Sequence, residues 1–364
     1  MEATDLNDPA YWESQTPDFR CNPVGSEKQQ GLIESARTDP RLAGHVLVAT
    51  SGSTGEPKWI ALSKAALLTS ARAVNAHLGA TAEDRWLCAL PAHHVGGLGV
   101  FARAYAIGQP AVVFSGRWRD RAAEFVALCG EAGITLTSVT PTQVYDLVAE
   151  RLGAPDSLRA VIVGGGRLEP DLARAARDLG WLVLASYGMT EACSQIATGP
   201  GDDGWLPVLP HWEVAASESG RLRLRGPSLF SGTVDATGRF EAARLAADGW
   251  FETRDRVELR DGELRFLGRI DDWVKKLGEL VSLDDARRRL DMLARAAGLS
   301  ATVIAVPDAR LEHRLVAVFE GTVDPDLVAL FNAGAEPYAR LDEARAVPAF
   351  PRTELGKIAW SRLT

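Results

Sequence analysis

Short apolar runs, each followed by a helix-like stretch, recur through the first half of the chain. They are RWLCAL (85–90), AVVF (111–114), LTSV (136–139), AVIVGGG (160–166) and WLVLASYG (181–188). Such compact runs without alternation read as strands buried on both faces. Between them, SKAALLTSARAVNAHL (63–78) opens on a capping serine and sets Leu67, Val74 and Leu78 along one side. DLARAARDLG (171–180) ends on Gly180, which suits a helix C-terminus. A strand–helix rhythm predicts a mostly parallel sheet with helices on both faces. After about residue 201 the pattern changes: RLRLRG, GRFEA and GELRFLG are short, alternating and glycine-punctuated, and predict antiparallel strands of a small β unit. From about Asp271 a charged helix (283–297), two strands (301–306 and 314–320) and a helix from Pro325 predict a small α+β domain. The expected fold class is therefore α/β. A large N-terminal domain (1–270) holds mostly parallel sheets covered by helices plus the small β unit, and a small C-terminal domain (271–364) follows.

Composition narrows the function. A chain of 364 residues that is 46% hydrophobic can bury a sizeable core. A net charge of −8 argues against nucleic-acid binding by bulk electrostatics. No stretch approaches the roughly 20 apolar residues that span a bilayer, and MEATDLNDPAYWESQ is too acidic and polar for a secretory signal. Cys21, Cys88, Cys129 and Cys193 stand far apart without a C-x-x-C pair, as expected of free buried thiols in a reducing compartment. The expectation is a cytoplasmic protein with neither a nucleic-acid nor a membrane partner, and a homo-oligomer is compatible with all of this.

Ligands of parallel α/β sheets gather where the strands' C-terminal ends meet the loops. Four loops are expected there: ATSGSTGEPK (49–58), PAHHVGG (91–97), VGGGRLEP (163–170) and SYGMTEA (186–192). The first follows the apolar run HVLV (45–48), and a glycine-rich turn behind a strand presents backbone N–H groups to phosphate. It is not a Walker A loop, which needs G-x-x-x-x-G-K-[ST]; Gly52 and Gly55 are too close, and Trp59 stands where the hydroxyl should be. Taken singly, each loop has a plain structural reading as a turn, and His93–His94 as packed imidazoles. Their order and co-occurrence favour a site that handles phosphates.

Five motifs, TSGSTGEPK, YGMTE, GWFETRD, GRIDD and PRTELGK, occur in that order between Thr50 and Lys357. Together they resemble the acyl-adenylate-forming family of acyl- and aryl-CoA ligases, adenylation domains and luciferases. The resemblance implies a large domain and a small mobile one joined at the GRxDD hinge, with Asp271 as the pivot. It also implies a two-step reaction: a carboxylate attacks the α-phosphate of ATP to give an acyl-adenylate and pyrophosphate, and the thiol of coenzyme A then displaces AMP. Thr50, Ser51, Gly52, Ser53, Thr54, Gly55 and Lys58 resemble the loop that holds the β- and γ-phosphates. In YGMTE, Tyr187 and Gly188 would lie against adenine, Thr190 would meet the α-phosphate, and Glu191 would help hold Mg2+. Asp255 would accept the ribose hydroxyls and Arg269 approach ribose or phosphate; by themselves these are a turn residue and a surface charge. Lys357 would bridge carboxylate and α-phosphate, where a cation between two anions lowers the barrier.

PAHHVGG, TPTQV (140–144) and the arginine of TRD further resemble the ligases that act on o-succinylbenzoate in menaquinone biosynthesis. That likeness implies a small aromatic carboxylate substrate, with His94 lining the acyl pocket and Gly96, Gly97, Gly164, Gly165 and Gly166 keeping it wide. The substrate is a dianion, so a polar or cationic group should meet its ring carboxylate; the sequence does not single that residue out. Trp59 after Lys58, and KKLGELVSLDD after the hinge, depart from the family pattern, the second on the thioester-forming side. An acceptor other than coenzyme A, such as a carrier protein, and a nucleotide-binding relative without catalysis are the alternatives.

Overall fold

The computed structural model describes residues 3–20, 30–51, 57–116, 118, 120–352, 358 and 360–363. They fall into two compact units, residues 1–253 with 257–266, and residues 254–256 with 267–364.

The first unit is built on a six-stranded sheet in the order Val112–Val113, Trp86–Cys88, Leu136–Val139, Ala160–Val163, Val183–Met189, Ser194–Gly199. Neighbours are parallel except the last pair, which is antiparallel. Successive side chains leave a strand on opposite faces, and both faces are covered. Trp86, Cys88, Leu136, Ala160 and Ile162 share one core with residues of helices Lys64–His77 and Val95–Ala106. Leu87, Val161, Val163 and Val183 share another with helices Ala122–Glu131, Pro141–Ala149 and Pro170–Asp178. That double burial explains why these strands read as continuous apolar runs. Helix ends follow local chemistry: the Ser63 side chain accepts from the Ala66 N–H, Thr140 and Gln143 form a reciprocal capping box, and Gly180 takes φ +86° just past its helix.

The N-terminal ends of three parallel strands are tied together by one carboxylate. Asp84 accepts from Arg159 Nε and Nη2, both at 2.8 Å, from the Thr135 hydroxyl at 2.7 Å and from the Thr81 N–H at 2.9 Å. Arg159 also donates to the Leu78 carbonyl at the end of its helix. These residues immediately precede strands 86–88, 136–139 and 160–163, so the cluster helps set their relative register.

A second sheet has the order Asp18–Arg20, His45–Ser51, Pro57–Ser63, Gly232–Val234, Phe240–Ala242. Here the structure corrects an expectation. ATSGSTGEPK does not follow a strand of the parallel sheet; it joins two antiparallel strands of this separate sheet, with Thr50 opposite Lys58 and Ser51 opposite Pro57. The physical reason is that KWIALS is itself a strand, alternating inward and outward. Lys58 is exposed, while Trp59 is fully buried in a core with Leu42, Leu47 and Phe240. Gly52, Ser53, Thr54 and Gly55 lie outside the described residues, as does Cys21; Cys88, Cys129 and Cys193 are free and buried. The small β unit is a five-stranded sheet in which Leu222 and Leu224 are buried between Arg221, Arg223 and Arg225; GRFEA, expected in this unit, instead forms the edge strand Phe240–Ala242 of the second sheet, paired with Gly232–Val234.

In the second unit, strand Ala301–Asp308 pairs antiparallel with Glu312–Glu320, which pairs parallel with Glu343–Val347. Helices Leu283–Ala296 and Pro325–Ala333 cover one face through Leu290, Ala294, Leu327 and Phe331. Phe350 and Leu363 cover the other face against Ile304, Val316 and Val318. A tight hairpin, Trp273–Lys276 with Glu279–Ser282, turns through Leu277 (φ +56°) and Gly278 (φ +82°). Lys276 is buried and donates to the Asp342 carboxylate and the Arg340 carbonyl, both at 2.6 Å. Among the described residues no helix is long and apolar enough to cross a membrane.

The Asp84 cluster predicts a pH signature. The hydrogen bonds from Arg159, then those from Thr81 and Thr135, hold its carboxyl well below the usual carboxylate range. A carboxyl depressed in the folded state contributes stability above its unfolded pKa, about 4, and loses it as pH falls toward the folded value. Asp84→Asn is expected to cost about 1–3 kcal/mol at neutral pH. In urea titrations from pH 8 to pH 2, the gap between parent and variant should hold above pH ~5 and narrow below pH ~4. A gap that stays constant into acid would show that the charge is not its source.

Candidate active site

Three of the four singled-out loops, with TPTQV, follow neighbouring parallel strands, as the topology of a ligand-binding α/β sheet requires. PAHHVGG follows Trp86–Cys88, TPTQV follows Leu136–Val139, VGGG follows Ala160–Val163, and YGMTE ends Val183–Met189. The loops touch. A Cβ at Gly166 would lie 3.4 Å from Pro141 Cγ, and one at Gly164 would lie 3.9 Å from Ser186 Cβ. Gly165 has φ +76°, a backbone state that glycine adopts without strain.

YGMTE is shaped by a close backbone approach. Strand Val183–Met189 pairs with Ser194–Gly199 through a register shift at Tyr187/Gly188. A Cβ at Gly188 would fall 1.6 Å from the Ser194 carbonyl oxygen, so only glycine fits. The chain then makes a single 3-10 turn, Thr190–Ala192, and reverses through Cys193 (φ +50°) and Ser194 (φ +105°). Two consecutive left-handed non-glycine residues are costly and tend to mark functional turns. The turn holds Thr190 and Glu191 half-buried, and the Tyr187 ring stacks on Phe266 at 5.3 Å.

The hairpin that flanks the phosphate-loop candidate is brought to this turn by two successive backbone bonds. The Phe230 N–H donates to the Glu191 carbonyl at 2.8 Å, and the Ser231 N–H to the Ala61 carbonyl at 2.9 Å. Lys58 thus belongs to the strand nearest the YGMTE turn, and Thr50 and Ser51 to the strand paired with it. Among the described residues no three or more His, Cys, Asp or Glu gather as a metal site. One carboxylate beside one hydroxyl, Glu191 and Thr190, suits a magnesium ion that arrives on phosphates with most of its waters.

His94 occupies the N-cap position of helix Val95–Ala106, with its ring 4.4 Å from that of His93. A Cβ at Gly97 would meet the Pro91 carbonyl oxygen at 2.3 Å, so glycine there permits a tight turn. Further along the same helix lies a residue that the sequence reading missed. Arg103 is 2% exposed, donates from Nη1 to the Ser138 hydroxyl at 3.0 Å, and lies with Cζ 5.2 Å from the Trp86 ring centroid. A Cβ at Gly99 would stand 3.0 Å from Arg103 Nη2 and 3.6 Å from Ser194 Cβ, so the guanidinium reaches the region just behind the YGMTE turn. Among the described residues its side chain donates to the Ser138 hydroxyl and faces the Cys88 thiol rather than a carboxylate. Burial lowers its pKa to about 10, and burial raises that of the nearby Cys88 thiol to about 11, so near neutral pH Arg103 is charged beside a neutral thiol. The Gly96, Gly99, Arg103 spacing, one helix face with small residues before a cation, was the available signal.

Asp255, Arg269 and Asp271 belong to the second unit. Asp255, in strand Phe251–Arg260, has its carboxylate 3.6 Å from Arg269 Nε. Asp271 lies in the 3-10 turn Ile270–Asp272 and accepts from Arg254 Nη2 at 2.5 Å. Lys357 lies outside the described residues.

Comparison with known proteins agrees with this arrangement. The family described as AMP-binding enzyme matches residues 45–232, more than half of the chain. The chain is 33% identical to the 2-succinylbenzoate–CoA ligase of Escherichia coli (strain K12) over 75% of its own length and 58% of that protein. It is 26% identical to the ligase of the same name from Enterococcus faecalis, over 87% of its own length and 68% of that protein. The solved o-succinylbenzoate CoA synthetase from Bacillus subtilis, in complex with its acyl-adenylate intermediate, superposes with a TM-score of 0.77 at 26% identity, covering 88% of this chain and 68% of that one. The same enzyme with ATP and a magnesium ion gives a TM-score of 0.76 at 26% identity, covering 87% and 69%. The chain thus spans roughly three-fifths to two-thirds of these relatives' lengths. With its loops at the strand ends and its sequence matched from His45 to Gly232, the chain belongs to the AMP-binding enzyme family.

Proposed function

We propose that this chain is an ATP-dependent acid–thiol ligase that joins o-succinylbenzoate to coenzyme A through an acyl-adenylate, releasing pyrophosphate and AMP, as a cytoplasmic enzyme of menaquinone biosynthesis. The observation that carries the substrate reading is Arg103, a buried cation without a described carboxylate partner, behind the turn that holds Thr190 and Glu191. A monoanionic acid needs one cationic partner at its reacting end. A second buried cation fits a second carboxylate, and a bidentate guanidinium suits it.

The roles follow from donor chemistry. The aliphatic carboxylate of the substrate attacks the α-phosphorus, its oxygen becomes the bridge to AMP, and pyrophosphate leaves. Thr50, Ser51, Gly52, Ser53, Thr54, Gly55 and Lys58 hold the β- and γ-phosphates, Thr190 donates to the α-phosphate, and Tyr187 with Gly188 forms a flat wall for adenine. Asp255 accepts the two ribose hydroxyls beside Arg269. Glu191 offers one hard oxygen to magnesium, which when bound draws negative charge from the phosphate oxygens. Lys357 places its ammonium between attacking carboxylate and α-phosphate, where repulsion between two anions otherwise raises the barrier. Arg103 with Ser138 holds the ring carboxylate, and His94 and Gly164–Gly166 border the acyl group. The functional boundary lies at 270/271, with Asp271 as the pivot between the two half-reactions.

The acceptor is the more open half. Leu277 and Leu280 are 55% and 50% exposed at the hairpin that follows Asp271. That apolar tip favours, as a second reading, delivery of the acyl group to a carrier protein; dependence of AMP release on free coenzyme A separates the two.

Pyrophosphate release across a panel of acids tests the assignment. o-Succinylbenzoate should outperform simple benzoates and fatty acids, and benzoylpropionate, which lacks the ring carboxylate, should react with a clearly lower kcat/KM. Arg103→Met should reduce kcat/KM for o-succinylbenzoate by about 30-fold or more, the scale for truncating one partner of a buried charge pair, and leave benzoylpropionate nearly unchanged. Equal losses for both acids would make Arg103 structural, and a preference for fatty acids would remove the substrate assignment.

The two half-reactions separate the role of Lys357. Lys357→Ala is expected to slow adenylation by about 100-fold or more, while thioester formation from supplied acyl-adenylate changes far less. Equal losses in both steps would contradict a role confined to adenylation.

A further inference from the structure

Three arginines of the second unit converge on the turn at Asp271. Arg254 donates to the Asp271 carboxylate at 2.5 Å. Arg287 donates to the next carboxylate, Asp272, at 2.6 Å. Arg256 lies with Cζ 4.6 Å from the ring centroid of Trp273, the residue after that. The two carboxylates are held from different elements. Arg287 belongs to helix Leu283–Ala296, is itself fixed by the Val303 carbonyl at 3.0 Å, and lies against the Trp360 ring at 3.9 Å. Arg254 belongs to strand Phe251–Arg260, next to Asp255.

The two ion pairs also differ in exposure. Side chains of the Arg287–Asp272 pair are 12% and 25% exposed, those of the Arg254–Asp271 pair 58% and 41%. A largely buried pair is costly to break by losing one partner, whereas a solvated pair is weak and exchanges readily. Asp272 is therefore anchored to the helix, and Asp271, one residue away, is held by a contact that can be released at small cost.

We infer that Arg254 is a positioning residue for the pivot: its ion pair with Asp271 sets the backbone state there and so the balance between adenylation and thioester formation, with Arg287–Asp272 as the fixed base. This rests on the functional reading above, in which Asp271 is the pivot. Arg254 makes no contact with the reacting atoms in this account. It acts through Asp271, and because side chains alternate along a strand the neighbouring Asp255 lies on the opposite side.

A double-mutant cycle on the intact enzyme tests this. The rates of pyrophosphate release and of thioester formation from supplied acyl-adenylate are measured for the parent, Arg254→Gln, Arg254→Lys, Asp271→Asn and Arg254→Gln/Asp271→Asn. Arg254→Gln should change the ratio of the two rates by about two- to fivefold, the range for a partly exposed pair. Arg254→Lys should restore most of the parent ratio, and in the Asp271→Asn background Arg254→Gln should change nothing further. A ratio indifferent to Arg254→Gln, or a shift that persists in the Asp271→Asn background, overturns the inference while leaving the ligase reading intact. A parent that runs neither half-reaction removes the ligase reading and this inference with it.

Discussion

The closest backbone approach around the candidate site is that of Gly188 to the Ser194 carbonyl, and much of the first unit's chemistry depends on it. A parallel sheet delivers each strand's C-terminal end to one edge and then sends the chain away through a helix. At Val183–Met189 it does otherwise. The chain turns back at once and pairs antiparallel, which keeps Thr190 and Glu191 at the sheet edge. Glycine at 188 lets the two strands close, and the left-handed pair Cys193–Ser194 completes the reversal. The strain of that reversal is balanced by burial: Ala192, Cys193, Ile196 and Ala197 all enter the main core. The Glu191 carbonyl then receives the Phe230 N–H, so the rigid turn also fixes the approach of the neighbouring sheet.

Two arginines show how the unit divides its charges between stability and function. Arg159 is answered in full by Asp84, with two nitrogens on one carboxylate, and sits at the N-terminal ends of the strands, away from the loops. Arg103 is more deeply buried yet meets only a hydroxyl, an aromatic face and a neutral thiol among the described residues. An uncompensated buried cation destabilises a fold. Its retention behind the turn that carries Thr190 and Glu191 makes sense when a substrate anion supplies the missing charge, which ties a cost in folding directly to substrate selection.

The strands and helices were legible because they follow local rules. Ser63, Thr140 and Gly180 mark helix ends by capping chemistry that acts within four residues. The double-sided apolar strands announce a covered parallel sheet. Other features depended on distant partners. KWIALS reads as the exit of a loop until its pairing with His45–Ser51 is seen. The close approach of Gly97 to the Pro91 carbonyl could not be read from its neighbours in sequence. Arg103 reads as an ordinary helical arginine, because its burial comes from Trp86 and Ser138 on separate strands. In TRD, Arg254 was legible as one of the residues that carry the resemblance, whereas its contact with Asp271, 17 positions on, was not.

The central claim is that a carboxylate oxygen attacks the α-phosphorus, and isotope transfer tests that step most directly. o-Succinylbenzoate labelled with 18O in its aliphatic carboxylate is incubated with ATP, magnesium, coenzyme A and the enzyme, and the products are weighed by mass spectrometry. Attack at the α-phosphorus followed by displacement at the acyl carbon leaves one labelled oxygen in AMP and none in pyrophosphate. Label appearing in orthophosphate, with ADP as the nucleotide product, would place the attack at the γ-phosphorus and contradict the account.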